Sequence, residues 1–110
     1  MIAWLGIARP QTIALHPSRT IELALSKDEA FDRCRDGIER VLGGVIRESQ
    51  RDRGTIEAGF GLIFSERLTC TVAATDATHS RVVVEARRGA QAVTAMPSSY
   101  VDALADYLTA

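Results

Sequence analysis

Lysine is nearly missing from this chain of 110 residues: Lys27 is the one copy, and arginine supplies the rest of the 13 basic side chains. Set against 14 acidic residues, they leave a net charge of −1. A chain so balanced casts no long-range field toward nucleic acid or an anionic membrane. Cysteine is scarce as well. Cys34 and Cys70 form no CxxC pair and are too few and too far apart for a disulfide framework. Both fall on apolar faces, where a free thiol behaves as a small hydrophobe. A buried bridge and a reactive site stay open as further readings. Aromatics make up 5% of the residues. None is expected on an exposed strand face, which removes the stacking platform that single-stranded nucleic acids use.

Histidine occurs twice, as His16 and His79, each in a turn-like stretch. Neither has a Cys, His or carboxylate three or four residues further on to share a metal. Ser80 adjoins His79, but sequence neighbours on a turn rarely make a nucleophile–base pair. Gly59-Phe60-Gly61 is too sparse for a phosphate loop, and no helix opens after it. Long apolar runs are absent too. The opening MIAWLGIARP is far below the ~20 residues needed to span a bilayer. Its first charge, Arg9, comes after the apolar run, so it lacks the basic lead of a signal peptide. These absences predict a cytoplasmic protein without membrane attachment. They assign no catalytic, cofactor-binding or metal-binding residue.

What is present is the profile of one globular domain over residues 1–110, with 46% hydrophobic and 25% charged side chains. A chain of this length buries roughly two-thirds of the surface its unfolded form exposes, enough for a core without metal or disulfide. Residues 1–19 read as an N-terminal arm or hairpin. In it Ile2, Trp4, Leu5 and Ile7 are apolar, TIALH (12–16) suggests a short strand, and His16-Pro17-Ser18-Arg19 a turn.

Residues 20–25 alternate as a strand, with Ile21, Leu23 and Leu25 on one face. Ser26-Lys27-Asp28-Glu29 then carries a capping box, since Ser26 can cap the first turn and Glu29 can reach back to it. The predicted helix runs to Leu42. Ala30, Phe31, Cys34, Ile38, Val41 and Leu42 share an arc of about 120° on it. Gly37, inside this helix, implies a close-packed neighbour, and Gly43-Gly44 ends it.

Further strands lie at 45–50, 55–60, 64–75 and 81–88, each with one apolar face, and Gly59 and Gly61 suggest a bulge or bend. After a loop, Pro97 and Ser98-Ser99 open a second helix. Its apolar face carries Tyr100, Val101, Leu104, Ala105, Tyr107 and Leu108, with Asp102 and Asp106 pointing away.

The assembly is an α+β two-layer sandwich of order β-β-α-β-β-β-β-α. Four to five antiparallel strands carry both helices on one face over residues 20–108. The other face shows Arg67, Thr69, Thr71, Arg81, Glu85 and Arg87. Asp32, Asp36 and Glu39, interleaved with Arg35 and Arg40, read as a solvated, ion-paired helix face. Arg47, Arg51 and Arg53, and Arg81, Arg87 and Arg88, are each diluted by carboxylates, so no continuous basic stripe forms for phosphate.

The capped helix with Ala30-Phe31, then Gly43-Gly44-Val45-Ile46, Asp52-Arg53-Gly54-Thr55-Ile56-Glu57-Ala58 and Arg81-Val82-Val83-Val84-Glu85, resembles a group of small bacterial domains of unknown function. The layout is also similar to the repeated domains of the outer-membrane assembly lipoprotein BamC and to minimal START-like, helix-grip domains. The helix-grip likeness implies an apolar cavity closed by the last helix. No catalytic motif comes with the resemblance.

The expected function is a non-catalytic interaction or assembly module, a homo-oligomer joined through its open sheet or its N-terminal arm. The alternative is a carrier for an apolar small molecule held between helices and sheet, with small residues such as Ala58, Ala74, Ala86 and Ala105 leaving room. An enzyme is the third reading, with Glu66 and Arg67 the first residues to inspect. No cofactor and no nucleic-acid partner are expected.

Overall fold

The computed structural model describes residues 16–61, 66–88 and 97–110. Alternation of apolar and polar side chains sets the strands. They are β1 (Ser18–Leu23), β2 (Val45–Gln50), β3 (Thr55–Phe60), β4 (Glu66–Ala74) and β5 (Ser80–Arg88). All neighbours pair antiparallel, in the order β1-β5-β4-β3-β2. One face gathers Ile21, Leu23, Ile56, Ala58, Phe60, Leu68, Cys70, Val72, Val82, Val84 and Ala86, all buried. Two helices cover it, α1 (Lys27–Asp36) and α2 (Ser99–Thr109). This is the expected α+β sandwich. The proposed first strand at 12–16 falls mostly outside the described residues; His16, its last residue, is not in a strand.

Ser26 caps α1 as its sequence requires. The Glu29 amide donates to Ser26 Oγ at 3.2 Å and the Ser26 amide donates back to Glu29 Oε1 at 3.1 Å. The strand before it runs two residues earlier than expected, at 18–23, so Leu25 packs on the core from the connection and not from the strand. Beyond Asp36 the helix changes pitch. Gly37–Val41 form a π-helical turn, closed by the Leu42 amide on the Gly37 carbonyl at 2.9 Å. The wider turn fits an extra residue and rotates the next side chains away from the α-helical stripe. Val41, placed by regular spacing on the core face, is therefore 54% exposed, while Leu42 remains partly buried against the core.

Gly37 is where α1 meets α2. A methyl group there would lie 2.7 Å from Tyr107 Cδ2 and 2.8 Å from Leu104 Cδ1. The missing side chain lets the second helix rest on the backbone of the first. The Tyr107 hydroxyl donates to Asp36 Oδ2 at 2.7 Å, and the Arg33 guanidinium stands 4.9 Å over the Tyr107 ring. The neighbouring Asp36 carboxylate raises the Tyr107 phenol above its ordinary range, since it favours the protonated donor.

The β2–β3 hairpin is braced to α1 from the same side. Arg51 Nη2 reaches Asp32 Oδ1 at 2.5 Å and the guanidinium sits 4.7 Å from the centre of the Phe31 ring. Lys27 Nζ donates to the Asp52 carbonyl at 2.8 Å. Gly54 closes the turn at φ +72, with its carbonyl accepting from the Val72 amide at 2.6 Å. Of the bulge or bend expected near Gly59 and Gly61, the structure has the bend; a separate bulge lies in β2, where Ile46 faces Ala58, Glu48 faces Glu57 and Arg47 is the extra residue. Gly61 makes a bend at φ 81.

Two substitutions test this frame. Gly54→Ala places a Cβ against the Val72 carbonyl oxygen at a left-handed backbone position. It is expected to cost at least about 2 kcal/mol, read from the urea denaturation midpoint. Ser26→Ala removes the cap and is expected to cost about 1 kcal/mol on the same measurement.

Candidate functional site

The densest polar cluster forms where α2 begins. Ser98 is extended at φ −147, ψ 132, and its hydroxyl oxygen accepts from the Tyr100 amide at 3.0 Å. The same hydroxyl donates to Glu66 Oε2 in a short bond. Glu66 stands at the start of β4 on the helix-facing side, as the two-residue period dictates, since Leu68 and Cys70 of that register are in the core. Its carboxylate therefore meets the positive end of the α2 dipole. The Ser98 amide donates to the His16 carbonyl at 3.2 Å, which ties in the chain just before β1.

One turn into α2, Asp102 gathers three donors. The His16 amide reaches Oδ2 at 3.1 Å, His16 Nδ1 lies 2.9 Å from Oδ1, and Arg19 Nη1 lies 2.8 Å from Oδ1. Partial burial works against the Asp102 charge. The Arg19 guanidinium, the His16 amide and the His16 ring outweigh it, so the carboxyl titrates below its ordinary range. Asp102 thus does not point away, as helical spacing alone predicts. It ties α2 to the start of β1.

An Asp–His pair fixes an imidazole so that its second nitrogen can take a proton from a nucleophile. The hydroxyl that joins this cluster, Ser98, is 2% exposed and already holds Glu66 and the Tyr100 amide. Its geometry is that of a helix cap. Among the described residues the cluster acts as a clasp joining β1, β4 and α2. Beside it the Phe60 and Tyr100 rings stack at 4.2 Å, and Phe60 lies against the backbone of Gly44, where a Cβ would be 2.6 Å from its ring.

Glu66 and Arg67, singled out in the sequence as a pair, are separated by the pleat. Glu66 faces the helices; Arg67 lies on the opposite face, 3.0 Å from Glu57. Register explains that face. Glu57, Thr69 and Glu85 align across three strands, and Arg67 and Arg87 align in the next row. The acidic row beside the basic row gives Arg67–Glu57 and, at 3.8 Å, Arg87–Glu85. Arg81 meets Glu22 directly opposite at 2.5 Å. Arg67 Nε is buried and has no hydrogen-bond partner among the described residues.

The remaining sequence candidates sort the same way. His79 lies 3.0 Å from Asp76 Oδ1 within its turn, where the Thr78 amide first, and then the His79 ring, hold the Asp76 carboxyl below its usual range. Asp36 pairs with Arg40 at 3.1 Å, whereas Asp32 turns to Arg51 on the hairpin. Cys34 and Cys70, on α1 and β4, are fully buried free thiols. They are also neighbours: the Cys34 thiol, together with burial, pushes the Cys70 thiol well above its ordinary range. Among the described residues no three metal-binding side chains converge, and no helix is long and apolar enough to cross a membrane.

No family model and no curated protein matches this chain. Among solved structures it is similar to CalC, a self-sacrificing resistance protein from Micromonospora echinospora. The TM-score is 0.50 at 14% identity, over 83% of this chain and 92% of that one. The likeness is one of fold.

The clasp predicts a pH dependence. A carboxyl depressed in the folded state contributes stability above the unfolded pKa and loses it as pH falls through the folded value. Between about pH 6 and pH 3, the urea midpoint of the native chain should therefore fall more than that of Asp102→Asn. Parallel curves for the two proteins would show that Asp102 holds no such charge.

Proposed function

We propose that this chain is a non-catalytic, cytoplasmic interaction module that associates with a second copy of itself at the β2 edge of its sheet. One observation carries the reading. Val41 and Val45 are the large hydrophobic side chains most exposed among the described residues, at 54% and 51%. They flank the Gly43-Gly44 turn, with Leu42 and Ile46 packed against the core beside them. Val45 opens β2, the strand at which the sheet ends, and Val41 stands in the turn of helix just before it. Apolar side chains at an open strand edge favour contact with another chain.

Two features favour a copy of the same chain. Glu39-Arg40 and Arg47-Glu48 flank the strip in the sequence with both signs, so no single sign of charge surrounds it. The net charge of −1 adds little repulsion between copies. The bulge at Arg47 interrupts the free edge, so the association rests on the valine strip more than on a long shared ladder.

The open sheet face supports association less well, because its rows of charge are already paired within the chain. Of the expected N-terminal arm, residues 1–15 lie outside the described residues, and Ser18 and Arg19 belong to β1. The carrier reading has less behind it, since Phe31, Ile38, Leu68 and Leu104 are all fully buried in one cluster.

Sedimentation velocity at about 100 µM tests the proposal. The full chain should run as a dimer, and Val41→Glu/Val45→Glu should dissociate at least tenfold more readily. A chain lacking residues 1–10 should remain dimeric. A monomeric full chain, or a dimer indifferent to both valines, rejects the reading.

A further inference from the structure

Behind the valine strip lies a run of contacts that ends at the start of α2. Gly43 turns at φ 72 between the two valines. The Gly44 amide donates to the Ile38 carbonyl at 2.8 Å, which closes the turn onto the π-helical segment. Gly44 rests on the Phe60 ring, since a Cβ there would come within 2.6 Å of Phe60 Cζ and Cε2. Val45 pairs with Gly59, the residue before Phe60. The turn and Val45 are thus both seated on the end of β3.

Phe60 is itself held by other elements. In the sheet it stands directly opposite Glu66 of β4, whose carboxylate accepts from the Ser98 hydroxyl. Its ring stacks on Tyr100 of α2, with centroids 4.2 Å apart and planes 26° from parallel. The Tyr100 amide donates to Ser98 Oγ at 3.0 Å, and two residues further on Asp102 is tied to His16 and Arg19.

The geometry points to Tyr100 and Phe60 as positioning residues of the valine strip: they carry the seating of α2 to the Gly43-Gly44 turn, and so set how Val41 and Val45 meet a second copy of the chain. Close packing is the reason. A ring that leaves no room for a methyl group cannot shift without moving the backbone it touches. When the start of α2 lifts, Phe60 loses its stacking partner and is free to change rotamer. Gly43 and Gly44 have no side chains to hold the turn once that ring moves. A loosened strip must then be ordered on association, which weakens the dimer. The link runs both ways, so a partner on the strip steadies the start of α2 in return. Its effect on association rests on the valine strip being the contact between copies; the link from α2 to the turn does not.

Amide hydrogen exchange on the full chain tests the link, and sedimentation velocity tests its effect. Tyr100→Leu keeps an apolar side chain and removes the stack. The Gly44 amide should then exchange about tenfold faster while amides of β4 and β5 stay unchanged, and the dimer should dissociate about tenfold more readily. Tyr100→Phe should match the native chain in both. Gly44→Ala pushes on Phe60 from the turn and should speed exchange over the first turns of α2, which reads the link from the other end if Tyr100→Leu folds poorly. A Gly44 amide indifferent to Tyr100→Leu, an α2 start indifferent to Gly44→Ala, or a dimer as tight in Tyr100→Leu as in the native chain overturns the inference, even where Val41→Glu/Val45→Glu splits the dimer. In a chain monomeric throughout, both exchange responses would uphold the link while the association falls, and their absence would end both.

Discussion

Everything in this fold rests on how closely the two helices approach. Gly37 leaves the π-helical turn after α1 bare at one point, and Leu104 and Tyr107 of α2 occupy the space a methyl group would take. That contact brings the second helix against the backbone at Gly37, beside the buried cluster of Phe31, Ile38, Leu68 and Leu104. Each such side chain contributes on the order of 1.5–3 kcal/mol by leaving water, so small shifts in helix position would be felt across the core. The polar frame around the contact, Asp36 to Tyr107 to Arg33, fixes the same approach from outside.

The charged residues take on a different meaning once their partners are known. A sequence rich in arginine invites a reading in terms of anionic ligands. Here Arg51 lies on Phe31 and Asp32, Arg19 on Asp102, Arg67 on Glu57 and Arg81 on Glu22. Their fork-shaped donors join elements to each other. The sheet's open face is consequently a lattice of internal ion pairs, and the functional reading moves to the edge where two valines remain uncovered.

Much of the architecture was legible because it derives from period. Alternation located all five strands within two residues, and Ser26 and Glu29 marked the first helix start. Gly37 announced a close neighbour and has one. Period failed where the chain departs from it. The π-helical turn after Asp36 turned Val41 outward, and the bulge at Arg47 was not foreseen because strand pairing, which single residues do not reveal, decides where an extra residue fits. The clasp was out of reach for the same reason. His16 and Asp102 lie at opposite ends of the chain, and only the placement of β1 beside β5 brings the start of α2 over them. The meeting of Cys34 and Cys70 likewise depends on which strand α1 crosses.

The strand order also sets a timetable for the chain as it is made. From β2 to β5 each strand turns directly onto its predecessor, so this part of the sheet can grow as it leaves the ribosome. β1 cannot. Ser18 waits for Glu85 and Leu23 for Ser80, so β1, the earliest made of these five strands, is the last of them to gain a partner. At roughly 5–20 residues per second, this leaves Ile21 and Leu23 uncovered for several seconds. During that interval the nascent domain carries an unguarded greasy ribbon at its leading end, a stage at which holding chaperones would find it.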